Sequence, residues 1–286
     1  LTQAEPAESP APEAAPVAEL SLAEKDQKLR SLIASYESLI VAYSGGVDST
    51  FLAGVAHEVL GEKSLAVTSR SPSVAPEELE AAAVVADERG WRHLIVDTDE
   101  MNDPRYLAND GRRCFFCKTE LYTHLDRLAG DEKISLVANG ANTDDLGDYR
   151  PGMEAAKNFE VVSPLVEAGM NKQDIRDLSK RMDLPTWDKP AQPCLSSRIP
   201  YGTMVSVDAL GKIGKAEKGL RDLGFSVVRV RHYGDVGRVE IPLEDFVRFE
   251  AVRAEAEAVV VGAGYASMEL EPKGFRSGGL NAALGR

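Results

Sequence analysis

Between residues 38 and 140, short runs rich in apolar and β-branched residues alternate with longer amphipathic stretches, and this alternation restricts the fold more than any other feature of the chain. The runs are "SLIVAYS", ending at Ser44, then "SLAVTSR", "HLIVDT" and "SLVANG". Helical stretches begin between them near Asp48, Ala75 and Cys114, and another, "SLAEKDQKLRSLIASY", precedes the first run with Leu22, Leu29, Leu32 and Ile33 on one face. Strands separated by helices are joined by crossovers, so they lie parallel with helices on both faces. An α/β fold is therefore expected, with its ligand site at the carboxyl ends of the strands.

The turn after the first strand reads "AYSGGVDST", residues 42–50. Gly45 and Gly46 allow backbone amides to approach a phosphate, Ser44 and Ser49 offer hydroxyl donors, and the helix starting there adds its positive dipole end. The lysine of the Walker loop is missing, and the spacing is not that of the dinucleotide fingerprint. By its residues alone the stretch is an anion cradle or a plain glycine-rich turn with Asp48 as helix cap. Ser-Gly-Gly-x-Asp-Ser resembles the PP-loop of the ATP pyrophosphatases. That resemblance implies a Rossmann-like sheet of the adenine nucleotide alpha hydrolase type, ATP as substrate, adenylation of a substrate oxygen and release of pyrophosphate. Asp48 would then serve Mg²⁺, since a hard cation prefers carboxylate oxygen.

The stretch "LVANGANTDDLGDYRPGMEAA", residues 136–156, carries Asp144, Asp145 and Asp148 into a loop beyond the fourth strand. In a parallel sheet this loop lies at the same edge as the glycine turn, so its carboxylates, Asp144 first, are candidates to face ATP and its metal. A surface turn whose Asp and Asn residues satisfy local backbone groups is the plain alternative. Arg70, assigned to ATP, and Arg150 are candidates for phosphate or a substrate carboxylate.

Composition narrows the partners. With 46 acidic against 33 basic residues the net charge is −13, which argues against nucleic acid or an anionic membrane as partner. No run of about 18 apolar residues occurs and the first residues lack the pattern of an export signal, so a cytoplasmic protein is expected. Residues 1–20 are Ala, Pro and Glu with few large apolar side chains, and a disordered tail is expected there. Residues 21–193 would form the sheet domain. After about residue 195 the pattern changes to an amphipathic stretch over 207–223, then "SVVRVRHYG", "VGRVEIP", a helical "VRAEAEAVVVGA" and "YASMELE". A smaller α/β domain over 194–286, for substrate or oligomerisation, is expected. The three cysteines, Cys114, Cys117 and Cys194, are an odd number in a chain without export features, which points to metal, redox or nucleophilic roles.

Taken in order, "AYSGGVDST", "RRCFFCKTEL", "GANTDDLGDYRPG", "PCLSSRIPYG" and "GFRSGGLNAAL" resemble the LarE family, PP-loop sulfur transferases of nickel-pincer nucleotide cofactor assembly, from about Leu22 to the C-terminus. The resemblance implies that the carboxylates of pyridinium-3,5-biscarboxylic acid mononucleotide are adenylated and converted to thiocarboxylates. In one branch of the family a sacrificial cysteine donates its sulfur and is left as dehydroalanine, and Cys194 matches it by position. In another, three cysteines hold a [4Fe-4S] cluster with one iron free for a transferable sulfide. The Cys-x-x-Cys pair favours the second, with Cys114, Cys117 and Cys194 as ligands. A zinc site completed by a histidine such as His124, a redox pair, or two buried thiols without function are the alternatives.

In the last third, alternation puts Arg229 and Arg231 on one strand face, where paired guanidiniums suit a phosphate; solubility is the plain reading of such a face. By the resemblance, Arg198 and Glu217 are also substrate or metal contacts, and His57 and His93 receive no role. The expected protein is thus an ATP-dependent sulfur transferase using ATP, Mg²⁺ and a [4Fe-4S] cluster on a small-molecule mononucleotide, as a homo-oligomer. Amide formation as in NAD or GMP synthetases, tRNA thiolation, and a non-catalytic nucleotide sensor or iron–sulfur carrier are the competing readings.

Overall fold

The apolar runs pair as their alternation requires. In the computed structural model, which describes residues 20–147 and 151–276, β1 (Leu39–Ala42), β2 (Ser64–Arg70), β3 (His93–Asp97) and β4 (Leu136–Ala138) form one all-parallel sheet in the order β3-β2-β1-β4. Leu39 lies in register with Ser64 on one side and Leu136 on the other. The chain therefore moves outward from β1 in one direction and returns to its other side with β4, which makes the carboxyl end of β1 a topological switch point. Residues 1–19, Asp148, Arg150 and the closing run beyond Arg276 lie outside the described residues.

Side chains alternate across β1 and bury two layers. Leu39 and Val41 face a layer with Leu29 and Ile33 of α1 (Leu22–Ala34), Phe51, Leu52 and Val55 of α2 (Val47–Leu60), and Ala82 and Ala86 of α3 (Pro76–Glu88). Ile40 faces the other, and after the one-turn α4 (Pro104–Leu107) the long α5 (Arg113–Glu132) covers it with Leu121, Tyr122 and Leu125. Each such fully buried side chain contributes about 1.5–3 kcal/mol. α6 (Pro151–Asn158) adds Ala155 and Ala156 to this second layer, and the short α7 (Pro164–Glu167) adds Leu165 to the first. α8 (Lys172–Arg181) begins in a capping box: the Asn171 side chain accepts from the Asp174 N–H while the Asp174 carboxylate accepts from the Asn171 N–H. It closes the first layer with Ile175 and Leu178.

After α9 (Val207–Asp222), β5 (Arg229–Tyr233) and β6 (Val236–Glu240) form an antiparallel pair. α10 (Phe246–Ala251) and α11 (Arg253–Gly262) follow, and β7 (Ser267–Leu270) joins β6 in parallel. Ala216 and Leu220 of α9 pack with Val230, Val239, Phe249 and Val260 beneath this sheet, while Leu210 and Ile213 of the same helix pack with Tyr106, Leu195 and Ile199. α9 thus carries two apolar faces, one to each part of the molecule. Arg229 and Arg231 do not lie on an open face, because they are 8% and 2% exposed, beneath Phe275 and the turn Leu195–Arg198.

Candidate active site

Backbone geometry fixes the turn at the end of β1. Gly45 has φ +70°, and a Cβ there would lie 2.9 Å from the Ala82 Cβ, so both conformation and space demand glycine. The Ser44 and Ser49 hydroxyls meet at 3.0 Å, and Ser49 Oγ also accepts from the Ser44 N–H at 3.1 Å. Gly46 is the N-cap of α2 and provides no side-chain cap, so the first-turn N–H groups of a 14-residue helix are left to an anion.

The loop after β4 lies against this helix start: a Cβ on Gly140 would come within 3.0 Å of the Ser49 nitrogen. Asn142 Nδ2 faces Asp48 Oδ1 at 3.4 Å, the Asp144 N–H donates to Asn142 Oδ1 at 2.9 Å, and the Asn142 N–H donates to Asp145 Oδ2 at 3.0 Å. Two lysines that sequence reading missed reach the same place. Lys172, at the start of α8, donates its ammonium to Asp48 Oδ2 and its backbone N–H to Asp144 Oδ2 at 3.0 Å. Lys189 donates to the Gly45 carbonyl oxygen at 3.1 Å and pairs with Glu78 at 2.6 Å. Separations of 124 and 144 residues from their partners leave no pattern that could have announced them. The donor set here is hard carboxylate oxygen from Asp48 and Asp144, which suits Mg²⁺. Arg70, exposed at the end of β2, holds its register partner Asp97 by two hydrogen bonds of 2.6 and 2.8 Å.

The segments that carry the cysteines meet at a hydrogen-bonded junction. Cys114 and Cys117 lie one turn apart at the start of α5, and Cys194 precedes the turn Leu195–Arg198. That turn docks on the loop beyond β2, where the Leu195 N–H donates to the Ser73 carbonyl at 2.8 Å. It also docks on the α5 start, where buried Arg113 donates to the Ser196 carbonyl at 2.7 Å and to Asn109 Oδ1 at 2.6 Å. Tyr106 and Ser196 share a hydrogen bond of 2.6 Å.

Burial pushes the Cys117 thiol up to about 12; Lys118 opposes this, and Cys194, Glu100 and Cys114 add to it. Cys114 opens to solvent, yet the protein atoms around its thiol raise it too, with Cys194 adding and Arg113 opposing. Burial would lower the Lys118 ammonium, but Tyr122 and the three thiols outweigh it and hold the group above its ordinary value. Arg113 and Lys118 are thus the cations nearest to Cys114 and Cys117 in charge effect. Thiolates are the donor type that an iron–sulfur cluster takes. Buried Glu100 accepts from Ser73 Oγ at 3.0 Å and leaves Oε2 without a partner. His124 does not belong to this group: it bonds Glu120 at 3.0 Å, seven residues beyond Cys117 and thus about 10 Å further along the helix. Among the described residues no three His, Cys, Asp or Glu side chains are grouped to hold a metal ion, the three cysteines included.

Arg198 and Glu217 form a pair, each 1% exposed, with contacts of 2.8 and 3.0 Å. Arg198 also donates to the Pro193 carbonyl at 2.6 Å, and Glu217 accepts the Val230 N–H at 3.0 Å, so the pair fastens the Cys194 segment to α9 and β5. Arg231 donates to the Ser197 carbonyl and to Glu240, both at 2.8 Å. Arg229 stacks over Phe275 at 4.6 Å and makes no hydrogen bond or ion pair among the described residues. Burial, then Arg198 and Arg231, pull it down to about 10. Arg198, Arg221, Arg229 and Arg231 thus face Glu77, Glu217 and Glu240, leaving one positive charge over. His93 bonds Thr68 at 2.8 Å, and His57 lies on α2, away from these groups.

A glycine-cradled helix start at the switch point of a parallel sheet, faced by an acidic loop, defines a PP-loop protein with a Rossmann-like domain. No protein-family model matches the chain. It is 44% identical to the uncharacterized protein slr1717 of Synechocystis sp. over 92% of this chain and 99% of that protein. It is 34% identical to the pyridinium-3,5-bisthiocarboxylic acid mononucleotide synthase of Lactiplantibacillus plantarum over 92% of this chain and 96% of that enzyme. A more distant likeness, 24% over 64% of this chain and 60% of the relative, links it to the tRNA-specific 2-thiouridylase MnmA of Rickettsia felis. The chain belongs to the LarE family. No helix among the described residues is long and apolar enough to cross a membrane.

Proposed function

We propose that the protein is an ATP-dependent sulfur transferase that converts the carboxylates of pyridinium-3,5-biscarboxylic acid mononucleotide to thiocarboxylates. The observation that carries this reading is the junction that joins the Cys194 turn to the start of α5 beyond the strand ends of the PP-loop sheet. The name of the Lactiplantibacillus plantarum relative supports the product.

In the first step a substrate carboxylate oxygen attacks the α-phosphorus of ATP; the new O–P bond forms as the bond to pyrophosphate breaks, and pyrophosphate leaves with the electron pair. The Gly45–Gly46 turn and the first N–H groups of α2 hold the phosphates. Asp48 and Asp144 would hold Mg²⁺, which supplies charge neutralisation on the phosphate oxygens. A sulfur nucleophile then attacks the acyl carbon and AMP departs, leaving the thiocarboxylate. Cys114, Cys117 and Cys194 would hold a [4Fe-4S] cluster, which supplies an iron able to carry a transferable sulfide. Arg113 and Lys118 offset the negative charge of the three thiolates. Arg229 takes the phosphate of the mononucleotide, while Arg198, Glu217 and Arg231 hold the segment that carries Cys194. A division near residue 194, a homo-oligomer and a cytoplasmic location belong to the same proposal.

The test combines pyrophosphate release with anaerobic metal analysis. Pyrophosphate is expected only with the pyridinium substrate present, and Asp48→Ala is expected to abolish it while the protein stays folded. Protein purified without oxygen is expected to contain iron and sulfide, and Cys114→Ala is expected to stop sulfur transfer. Transfer without bound iron, with a Cys194 peptide lighter by one H₂S after reaction, would assign the sulfur to Cys194 instead.

A further inference from the structure

The buried Arg198–Glu217 pair that fastens the Cys194 turn is not isolated. Arg221, one turn beyond Glu217 on α9, holds Glu77 on the first turn of α3 and stands 3.6 Å from Glu217 Oε2. Its side chain is 24% exposed against 1% for Arg198, so it has room to move that Arg198 lacks. Arg198 has one carboxylate partner among the described residues, whereas Arg221 reaches two. Two arrangements of Arg221 follow. On Glu77, it leaves both oxygens of Glu217 to Arg198, which also donates to the Pro193 and Cys194 carbonyls at 2.6 and 3.3 Å. On Glu217, it competes with Arg198 for Oε2 and disturbs the guanidinium that holds those carbonyls. The choice lies with α3, because Glu77 sits on the helix packed against the glycine turn. A Cβ on Gly45 would lie 2.9 Å from the Ala82 Cβ and 3.7 Å from the Glu78 carbonyl oxygen, so the turn has no slack to rearrange about a phosphate without moving α3.

We propose that Arg221 is a positioning residue that sets how firmly the Cys194 turn is held, with Glu77 as its restraint. When the glycine turn takes a polyphosphate, α3 shifts, Arg221 passes from Glu77 to Glu217, and Arg198 loosens its hold on the carbonyls around Cys194. The Cys194 segment is thereby released only after ATP has bound, and it stays closed until there is an activated carboxylate to meet. This link to nucleotide rests on the PP-loop reading of the site; the competition of Arg221 and Arg198 for Glu217 does not.

Amide hydrogen exchange of the full chain over residues 194–199, referred to β1 and β2, tests both parts. Without nucleotide, Glu77→Gln is expected to speed exchange in the turn about tenfold, because Arg221 is then free to take Glu217. Arg221→Gln alone is expected to leave the rate unchanged, and adding it to Glu77→Gln to restore the wild-type rate, since the competitor for Glu217 is gone. A substitution that merely weakened α3 would not be cured by removing a second charged group. MgATP is expected to speed exchange in the turn about tenfold in wild type and not in Arg221→Gln, although calorimetry finds the same ATP affinity in both. Wild-type exchange in Glu77→Gln, or acceleration that survives Arg221→Gln, overturns the positioning role of Arg221. Equal responses of wild type and Arg221→Gln to bound MgATP overturn its link to nucleotide. Wild-type protein that binds no MgATP overturns the PP-loop reading and that link with it, while the nucleotide-free variants still decide the positioning role.

Discussion

Arg229 and Arg231 are indistinguishable in sequence, two guanidiniums two positions apart, and the fold gives them different tasks. Arg231 uses its donors on Ser197 and Glu240, so Arg231→Ala leaves a largely buried carboxylate without its cation. Breaking such a pair costs about 3–5 kcal/mol, and urea unfolding of Arg231→Ala is expected to show a loss of that order. Among the described residues Arg229 makes no hydrogen bond or ion pair; it stacks on Phe275 and lies beside two other guanidiniums. Arg229→Ala is therefore expected to unfold near the wild-type midpoint but to bind the pyridinium mononucleotide roughly ten- to a hundredfold more weakly, as read by calorimetry. Wild-type affinity in this variant would remove Arg229 from the phosphate site.

At the scale of elements, the first turn of α5 decides how the thiols behave. A helix start places Cys114 and Cys117 on neighbouring positions of one face and packs Cys117 against the cluster that contains Tyr106. The Cys117 thiol, ordinarily at 9.0, is pushed up to about 12, chiefly by burial. The unfolded chain releases this proton near 9.0 while the folded chain keeps it until about 12. Within that window the folded state binds more protons, so this contribution to stability is complete below the window and lost as pH rises through it. Anaerobic urea unfolding of metal-free protein is expected to show stability falling above about pH 9, and Cys117→Ala to flatten that decline. Equal slopes in the two proteins would mean that Cys117 is not desolvated by the fold.

The two sheet-bearing parts of the molecule meet at the turn Leu195–Arg198 and at α9. Leu195 and Ile199 fit among Tyr106, Ala209 and Ile213, Arg113 ties the α5 start to Ser196, and the Arg198–Glu217 pair ties the same turn to α9. Removing Arg113 leaves the Ser196 carbonyl and Asn109 Oδ1 without this donor. Arg113→Met is expected to speed amide hydrogen exchange over residues 194–199 and to lower the iron retained after anaerobic reconstitution, while exchange in β1 and β2 stays slow. Uniform acceleration across the sheet would show a general loss of stability rather than a local release of the Cys194 turn.

The four strands, their parallel order of appearance and the glycine turn after β1 were legible in the sequence. Periods of two and 3.6 residues, and the demand for glycine at φ +70°, are properties of neighbouring residues. The meeting of the β4 loop with the PP-loop followed from the parallel topology alone. The partners of the charged side chains were not legible. Arg70 is paired with Asp97, Arg198 with Glu217 and Lys172 with Asp48, across 27, 19 and 124 residues. Such pairs depend on distances between packed elements and on which groups lose contact with water, and no local pattern carries either quantity. The sequence by itself determined the parallel sheet and the glycine turn at its switch point; only the tertiary structure decided which charged side chains stand beside that turn and beside the cysteine-bearing segments.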